Sequence, residues 1–258
     1  MMSRLADGRV IAPTPEARRM VACAVLEAAH DHSMLSFNLP DTHLHTALAE
    51  DEATSNEVAR RIEGSITKRL NLPVGFARVH AKPILDQDHL QNTFGYILRQ
   101  RARHRLAWDP LCEASALPDL LGLRVVGRFM ATHVRRLLPR VDRALLLECF
   151  GLEELEPMDG PLELIVPAAL SAAGLLHLRG RSRAVRAARR AIIEVIGARL
   201  PSTQVARLLG VHRHSIARLR AHPAHAALVD AIRLQLGLRR LKRGEEPAGP
   251  FVDDPSHG

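Results

Sequence analysis

The run Leu35-Ser36-Phe37-Asn38-Leu39, then Pro40-Asp41-Thr42, then His43-Leu44-His45-Thr46-Ala47-Leu48 is patterned as two strands joined by a turn. Apolar and polar residues alternate on both sides of Pro40-Asp41, which is the period of a half-buried strand on either side of turn chemistry. The pattern predicts a β-hairpin with strands over about 33–39 and 43–49. Residues i and i+2 of a strand share a face, so Leu44 is expected toward the core while His43 and His45 point the other way, able to reach one metal ion. Two other His-x-His spacings lack that property. His30/His32 ends a helical pattern, where positions two apart diverge by about 200°. His212/His214 begins a helix in a basic region, which suits DNA contact rather than metal.

The flanks of the hairpin extend the pattern. Residues 15–30 repeat apolar side chains at helical spacing (Ala17, Met20, Val21, Ala24, Val25, Ala28), with Thr14 as N-cap and Pro15 in the first turn. After the hairpin, Thr54 or Ser55 caps a helix running to Leu70 on Val58, Ile62 and Ile66, and Asn71-Leu72-Pro73 ends it. A strand over about 74–79 follows, and Asp86 or Asp88 opens a helix carrying Leu90, Phe94, Tyr96, Ile97 and Gln100. This order predicts an α+β layer with an antiparallel sheet that keeps one face free for a ligand. Tyr96 is the only tyrosine, 51 residues beyond His45, and Gln100 lies one helical turn further on. With His43 and His45, Gln100 can complete a metal site beside a tyrosine nucleophile aimed at a phosphodiester.

Bulk properties bound the partners. A length of 258 with 47% hydrophobic residues supports a real core in one large or two small domains. A net charge of +8 and a pI near 10.5 favour a polyanion, either nucleic acid or an anionic membrane surface. No apolar run approaches a membrane span and the first residues lack a signal-peptide core, so a cytoplasmic protein is expected. Cys23, Cys112 and Cys149 are far apart with no CxxC spacing, which indicates reduced thiols rather than disulfides or a zinc knuckle.

The positive charge is concentrated toward the carboxy terminus, where eleven arginines between Arg179 and Arg220 face a single acid, Glu194. Residues 117–176 are Leu-rich and broken by Pro139, Pro157, Pro161 and Pro167, and read as a helical connector without evident chemistry. Beyond a helix over about 182–199, residues 201–220 carry helix-turn-helix patterning. Ser202 is expected as cap, Ala206 at the crossing and Gly210 in the turn, with Val211, Ile216 and Leu219 inward. That leaves His212, Arg213, His214, Ser215 and Arg218 outward for duplex DNA. The expected organisation is a catalytic domain over 1–116, a connector over 117–180, a DNA-binding domain over 181–243 and a disordered tail over 244–258.

Three stretches carry a family resemblance: residues 39–45 with His43 and His45, the basic segment Arg78-Val79-His80-Ala81-Lys82-Pro83-Ile84, and the run from Asp88 through Tyr96-Ile97 to Gln100. They resemble the single-tyrosine HUH (insertion-sequence-200-like) transposases, in particular the REP-associated tyrosine transposases of bacteria. The resemblance implies a ferredoxin-like antiparallel sheet whose first strand has Gly8–Ala12 available to it. It also implies Mg²⁺ or Mn²⁺ on His43, His45 and Gln100, and Tyr96 cutting and rejoining single-stranded or hairpin DNA through a 5′-phosphotyrosine. Arg78, Lys82, Arg99, Arg101 and Arg103 would hold the DNA backbone. A prokaryotic, nucleoid-associated monomer or homodimer without a nucleotide cofactor is the matching expectation. The alternatives are a catalytically decayed or domesticated DNA-binding regulator, and an HUH replication nickase. The latter usually carries an acid or a third histidine near the metal, and neither is evident in the sequence.

Overall fold

Three strands, β1 (Met2–Arg4), β2 (Met34–Asn38) and β3 (His43–Leu48), form an antiparallel sheet in the order β1-β3-β2, in a computed structural model that describes residues 1–106, 109, 111–149 and 151–244. The hairpin forms where its alternation puts it, pairing Asn38 with His45 and Phe37 with Thr46. The first strand is Met2–Arg4, not Gly8–Ala12; Met2 faces His45 and Arg4 faces His43. Gly8 sits at φ 71, a left-handed turn that takes the chain out of the sheet, and Ile11 and Ala12 are buried in the core instead.

Irregular segments lengthen the sheet at both edges. Residues 75–80 pair with the outer side of β1 through Ala77 N–H to the Arg4 carbonyl (2.8 Å) and Met2 N–H to the His80 carbonyl (3.0 Å). This is the stretch expected as a strand over 74–79; Pro73 and Gly75 keep it from becoming a regular one. On the opposite edge, Leu39 N–H donates to Ala114 and Ala116 N–H to Phe37, both at 2.8 Å. Buried Arg124 holds that second segment by donating to the carbonyls of Glu113 and Ser115, each at 2.8 Å, and to the Asp119 carboxylate.

Helices cover both faces. α1 (Pro15–Ala28) is capped by Thr14, whose hydroxyl accepts from Ala17 N–H at 3.1 Å. α2 (Glu52–Leu70) begins ahead of Thr54 and Ser55, because the Asp51 carboxylate accepts from Thr54 N–H at 2.8 Å and adds a negative charge at the helix N-terminus. Together they bury Val21, Val25, Val58, Ile62 and Ile66 against Phe37 and Leu44. α3 (Gln87–Leu98), opened by Asp86, and α4 (Gln100–Arg103) lie on the other face, with Phe94, Ile97 and Leu98 against Leu35 and Ala47. β2 is therefore buried along its whole length, while residues of β1 and β3 line an open cavity beside α3.

The presumed connector belongs to its neighbours. After the short α5 (Leu117–Leu120), α6 (Arg128–Leu137) contributes Met130 to the core under α1 and Val134 to the core under α3. α7 (Arg143–Cys149) adds Leu146 and Leu147 to the latter. α8 (Leu162–Ala173) packs instead with α9 (Arg183–Ile196), α10 (Ser202–Leu209), α11 (Arg213–Arg220) and α12 (Ala226–Arg243). Their shared core holds Ile165, Ala169, Ile192, Ile196, Ile232 and Leu236. Ser202 is the first residue of α10 rather than its cap, and its hydroxyl accepts from Arg220 at 2.9 Å. Gly210 ends α10 at φ 61, a left-handed position that favours glycine. Cys23 and Cys112 are buried free thiols and Cys149 is partly buried. No helix among the described residues is long and apolar enough to cross a membrane. Of the expected tail over 244–258, Gly244 caps α12 and residues 245–258 lie outside the described residues.

Candidate active site

Alternation along β3 sends Leu44, 1% exposed, into the core and leaves His43 and His45 on the face toward α3, their ring centroids 6.3 Å apart. One side chain from β2 fixes the end of α3 over that face. Asn38 Nδ2 donates to the carbonyls of Ile97 (2.8 Å) and Leu98 (3.2 Å), which lie in the last turn of the helix, where carbonyls lose their intrahelical partners. So anchored, α3 presents Tyr96 edge-on to His45, with ring centroids 5.8 Å apart and Tyr96 41% exposed.

Gln100 does not stand free beside them. It is 1% exposed, and its amide nitrogen donates back to the Tyr96 carbonyl at 3.0 Å. A residue not foreseen from the sequence comes close instead: the His104 ring centroid is 6.4 Å from that of His43, and His104 Nδ1 lies 3.4 Å from an Asp41 carboxylate oxygen. Thr42 Oγ1 sits 2.8 Å from His43 Nδ1. Partial burial would raise the Asp41 carboxyl, but the Thr42 backbone N–H and the His104 imidazole outweigh it and hold it below its ordinary value. Burial, then the neighbouring His43, pulls the His45 imidazole down from 6.5 to about 4. His45 is therefore a neutral base near pH 7, the form a metal ligand needs.

The donors can be tested for fit to a divalent ion. A metal about 2.1 Å from a ring nitrogen lies about 3.2 Å from the ring centroid, so two imidazoles on one ion are at most about 6.4 Å apart. The 6.3 Å spacing of His43 and His45 falls at the open end of that range. Among the described residues, no three His, Cys, Asp or Glu side chains converge on one point. The two imidazoles fit as a pair of donors, and His104 does not converge with them as a third.

Two cavities meet at Tyr96 and Thr93. One, of about 390 Å³, is lined by Asn92, Thr93, Gly95, Tyr96, Arg99 and Arg103. The other, of about 1060 Å³, includes His45, Lys82, Leu90 and Tyr96, with the carboxylates of Glu50, Asp51, Glu52 and Asp86. The basic residues separate accordingly. Lys82 lines the larger cavity and Arg99 and Arg103 the smaller, with the Arg103 guanidinium 4.6 Å from the Tyr96 ring centroid. Arg78 is exposed on the 75–80 edge, and Arg101 turns toward Cys112, its nitrogen 3.6 Å from the sulfur. On α11, Arg213, His214 and Arg218 are exposed and Ile216 is buried, while His212, ahead of the helix, stacks on His214 at 5.0 Å and Ser215 is half-buried. None of these five lines either cavity at Tyr96. No protein-family model, curated protein or solved structure matches the chain.

Proposed function

We propose that the protein is a DNA strand transferase of the single-tyrosine HUH type, cutting and rejoining single-stranded or hairpin DNA. The observation that carries this reading is the 5.8 Å approach of the only tyrosine to His45, whose neighbour His43 shares its face of β3. The element order supports it. Strand, helix, hairpin, helix and then the 75–80 edge beside β1, with α3 after it, follow the order expected of a β-α-β-β-α-β ferredoxin-like layer, the last strand being replaced by isolated bridges.

In the reaction the Tyr96 oxygen attacks phosphorus, the P–O3′ bond breaks, and the departing oxygen takes a proton to become a free 3′-OH. The strand is left on Tyr96 as a 5′-phosphotyrosine, and attack by a 3′-OH on that ester rejoins DNA. A tyrosine phenol ordinarily ionises near pH 10, so attack at neutral pH needs help. Mg²⁺ or Mn²⁺ on His43 and His45, with Gln100 as the expected third donor, would supply Lewis-acid polarisation of the scissile phosphate. The chain itself contributes the placement of Tyr96, through Asn38 at the end of α3 and the Arg103 guanidinium over the ring. The α10–turn–α11 unit, with Gly210 in the turn and Arg213 and Arg218 outward, supports a helix-turn-helix that docks on duplex DNA.

One observation favours a second reading. Asp41 and His104 stand beside the histidine pair, and an acid or third histidine there is the mark of an HUH replication nickase. The test is cleavage of labelled single strands with Mn²⁺. A transferase cleaves hairpin-bearing strands and joins the cut end to a second strand, whereas a nickase relaxes a supercoiled plasmid at one site. Cleavage that persists in EDTA, or in His43→Ala and His45→Ala, would rule out both.

A further inference from the structure

We infer that the 390 Å³ cavity beside Tyr96 is a phosphate subsite for the strand being cut, separate from the histidine side of the nucleophile; this rests on the strand-transfer reading. Its walls are Arg99, at the junction of α3 and α4, and Arg103, whose N–H donates to the Arg99 carbonyl at 3.2 Å, and its lining includes no carboxylate. Like charges so placed repel, and a bound anion removes the repulsion. Asn92 and Thr93 add neutral hydrogen-bonding groups one to two turns away. Arg99 also reaches Cys149, a partner that brings no compensating charge while its thiol is protonated.

Gly95 supplies the floor. It lies in the interior of α3, where glycine is less stable than alanine, and lines the cavity beside Arg99. The larger cavity holds His45 and Lys82 with Glu50, Asp51, Glu52 and Asp86, so apart from the scissile phosphate at the histidines it suits the backbone less. Charge complementarity therefore runs the flanking backbone over Arg99 and Arg103. Arg101, facing Cys112, takes no part.

The test is a salt titration of binding to fluorescein-labelled (dT)20, using the full-length chain carrying Tyr96→Phe so that no covalent product forms. Each phosphate neutralised on a single strand contributes about 0.7 to the slope of log K against log salt. Arg99→Gln with Arg103→Gln should flatten the slope by about 1.4, while Arg135→Gln with Arg136→Gln, on α6, leaves it closer to the parent. An unchanged slope in the double variant, or no binding of (dT)20 by the parent, overturns the subsite. The strand-transfer reading is judged apart, by adduct formation in the wild type: an adduct with an unchanged slope removes the subsite alone, and a flattened slope without an adduct removes the reaction alone.

Discussion

Burial keeps His45, 8% exposed, from taking a proton until about pH 4, against 6.5 for an unhindered imidazole, and this ties stability to pH. The folded pKa is depressed, so between about 4 and 6.5 the unfolded chain binds the proton more readily. Stability is complete above the upper value and falls as pH drops through the window, by on the order of 3 kcal/mol for this residue. Urea unfolding at pH 7 and pH 4.5 should show that loss in the wild type and a smaller one in His45→Gln; equal losses would remove His45 as the cause. His43, His45 and Tyr96 were legible in the sequence because their relation rests on the two-residue period of one strand and on the rarity of tyrosine. The third donor was not. Helical spacing puts Gln100 beside Tyr96, but buried Gln100 folds back onto the Tyr96 carbonyl, and His104 meets Asp41 only because α4 passes the hairpin turn.

Elements whose signals are local were read correctly in type and placed within a few residues, as with α1 behind Thr14 and α3 behind Asp86. What could not be read was pairing at a distance. The three residues of β1 carry no period of their own and exist because β3 accepts them, and the 112–116 edge depends on Arg124. That arginine and Asp119 are both fully buried, so removing one partner leaves an uncompensated charge. Asp119→Ala should cost about 3–5 kcal/mol in urea unfolding. Gly127→Ala should also destabilise, since a Cβ there would lie 1.9 Å from an Asp119 carboxylate oxygen. Asn38 acts between elements: Asn38→Ala leaves two carbonyls at the end of α3 without that donor. A loss of about 1–3 kcal/mol is expected, with cleavage falling further than stability explains because Tyr96 is no longer fixed. Wild-type stability in any of these three would contradict the packing described.

Across the whole molecule, the sequence suggested a connector separating two functional ends, and the packing joins them. Leu-rich composition marks burial but not its partner: α6 joins the sheet, α8 joins the carboxy-terminal helices, and Gln235 of α12 reaches back to donate to the Leu123 carbonyl at 3.2 Å. Thermal unfolding should therefore follow one transition, and truncation at Leu178, which strips α9 and α12 from Ile165 and Ala169, should yield an unstable protein. Two well-separated transitions would restore the connector. Basic charge gathered in 179–220 was legible as composition, and the exposed Arg213 and Arg218 give it a surface. Replacing either by alanine should weaken duplex binding by about 1–3 kcal/mol if it reads a guanine, and equally across sequences if it holds a phosphate. The proposed strand transfer makes Tyr96 a nucleophile served by His43 and His45. It is tested most directly by incubating full-length protein with labelled hairpin DNA and Mn²⁺, then resolving covalent adducts under denaturing conditions. A labelled adduct from the wild type that is absent in Tyr96→Phe, and strongly reduced in His43→Ala and His45→Ala, is the predicted result; an adduct that survives Tyr96→Phe, or no adduct from the wild type, would contradict it.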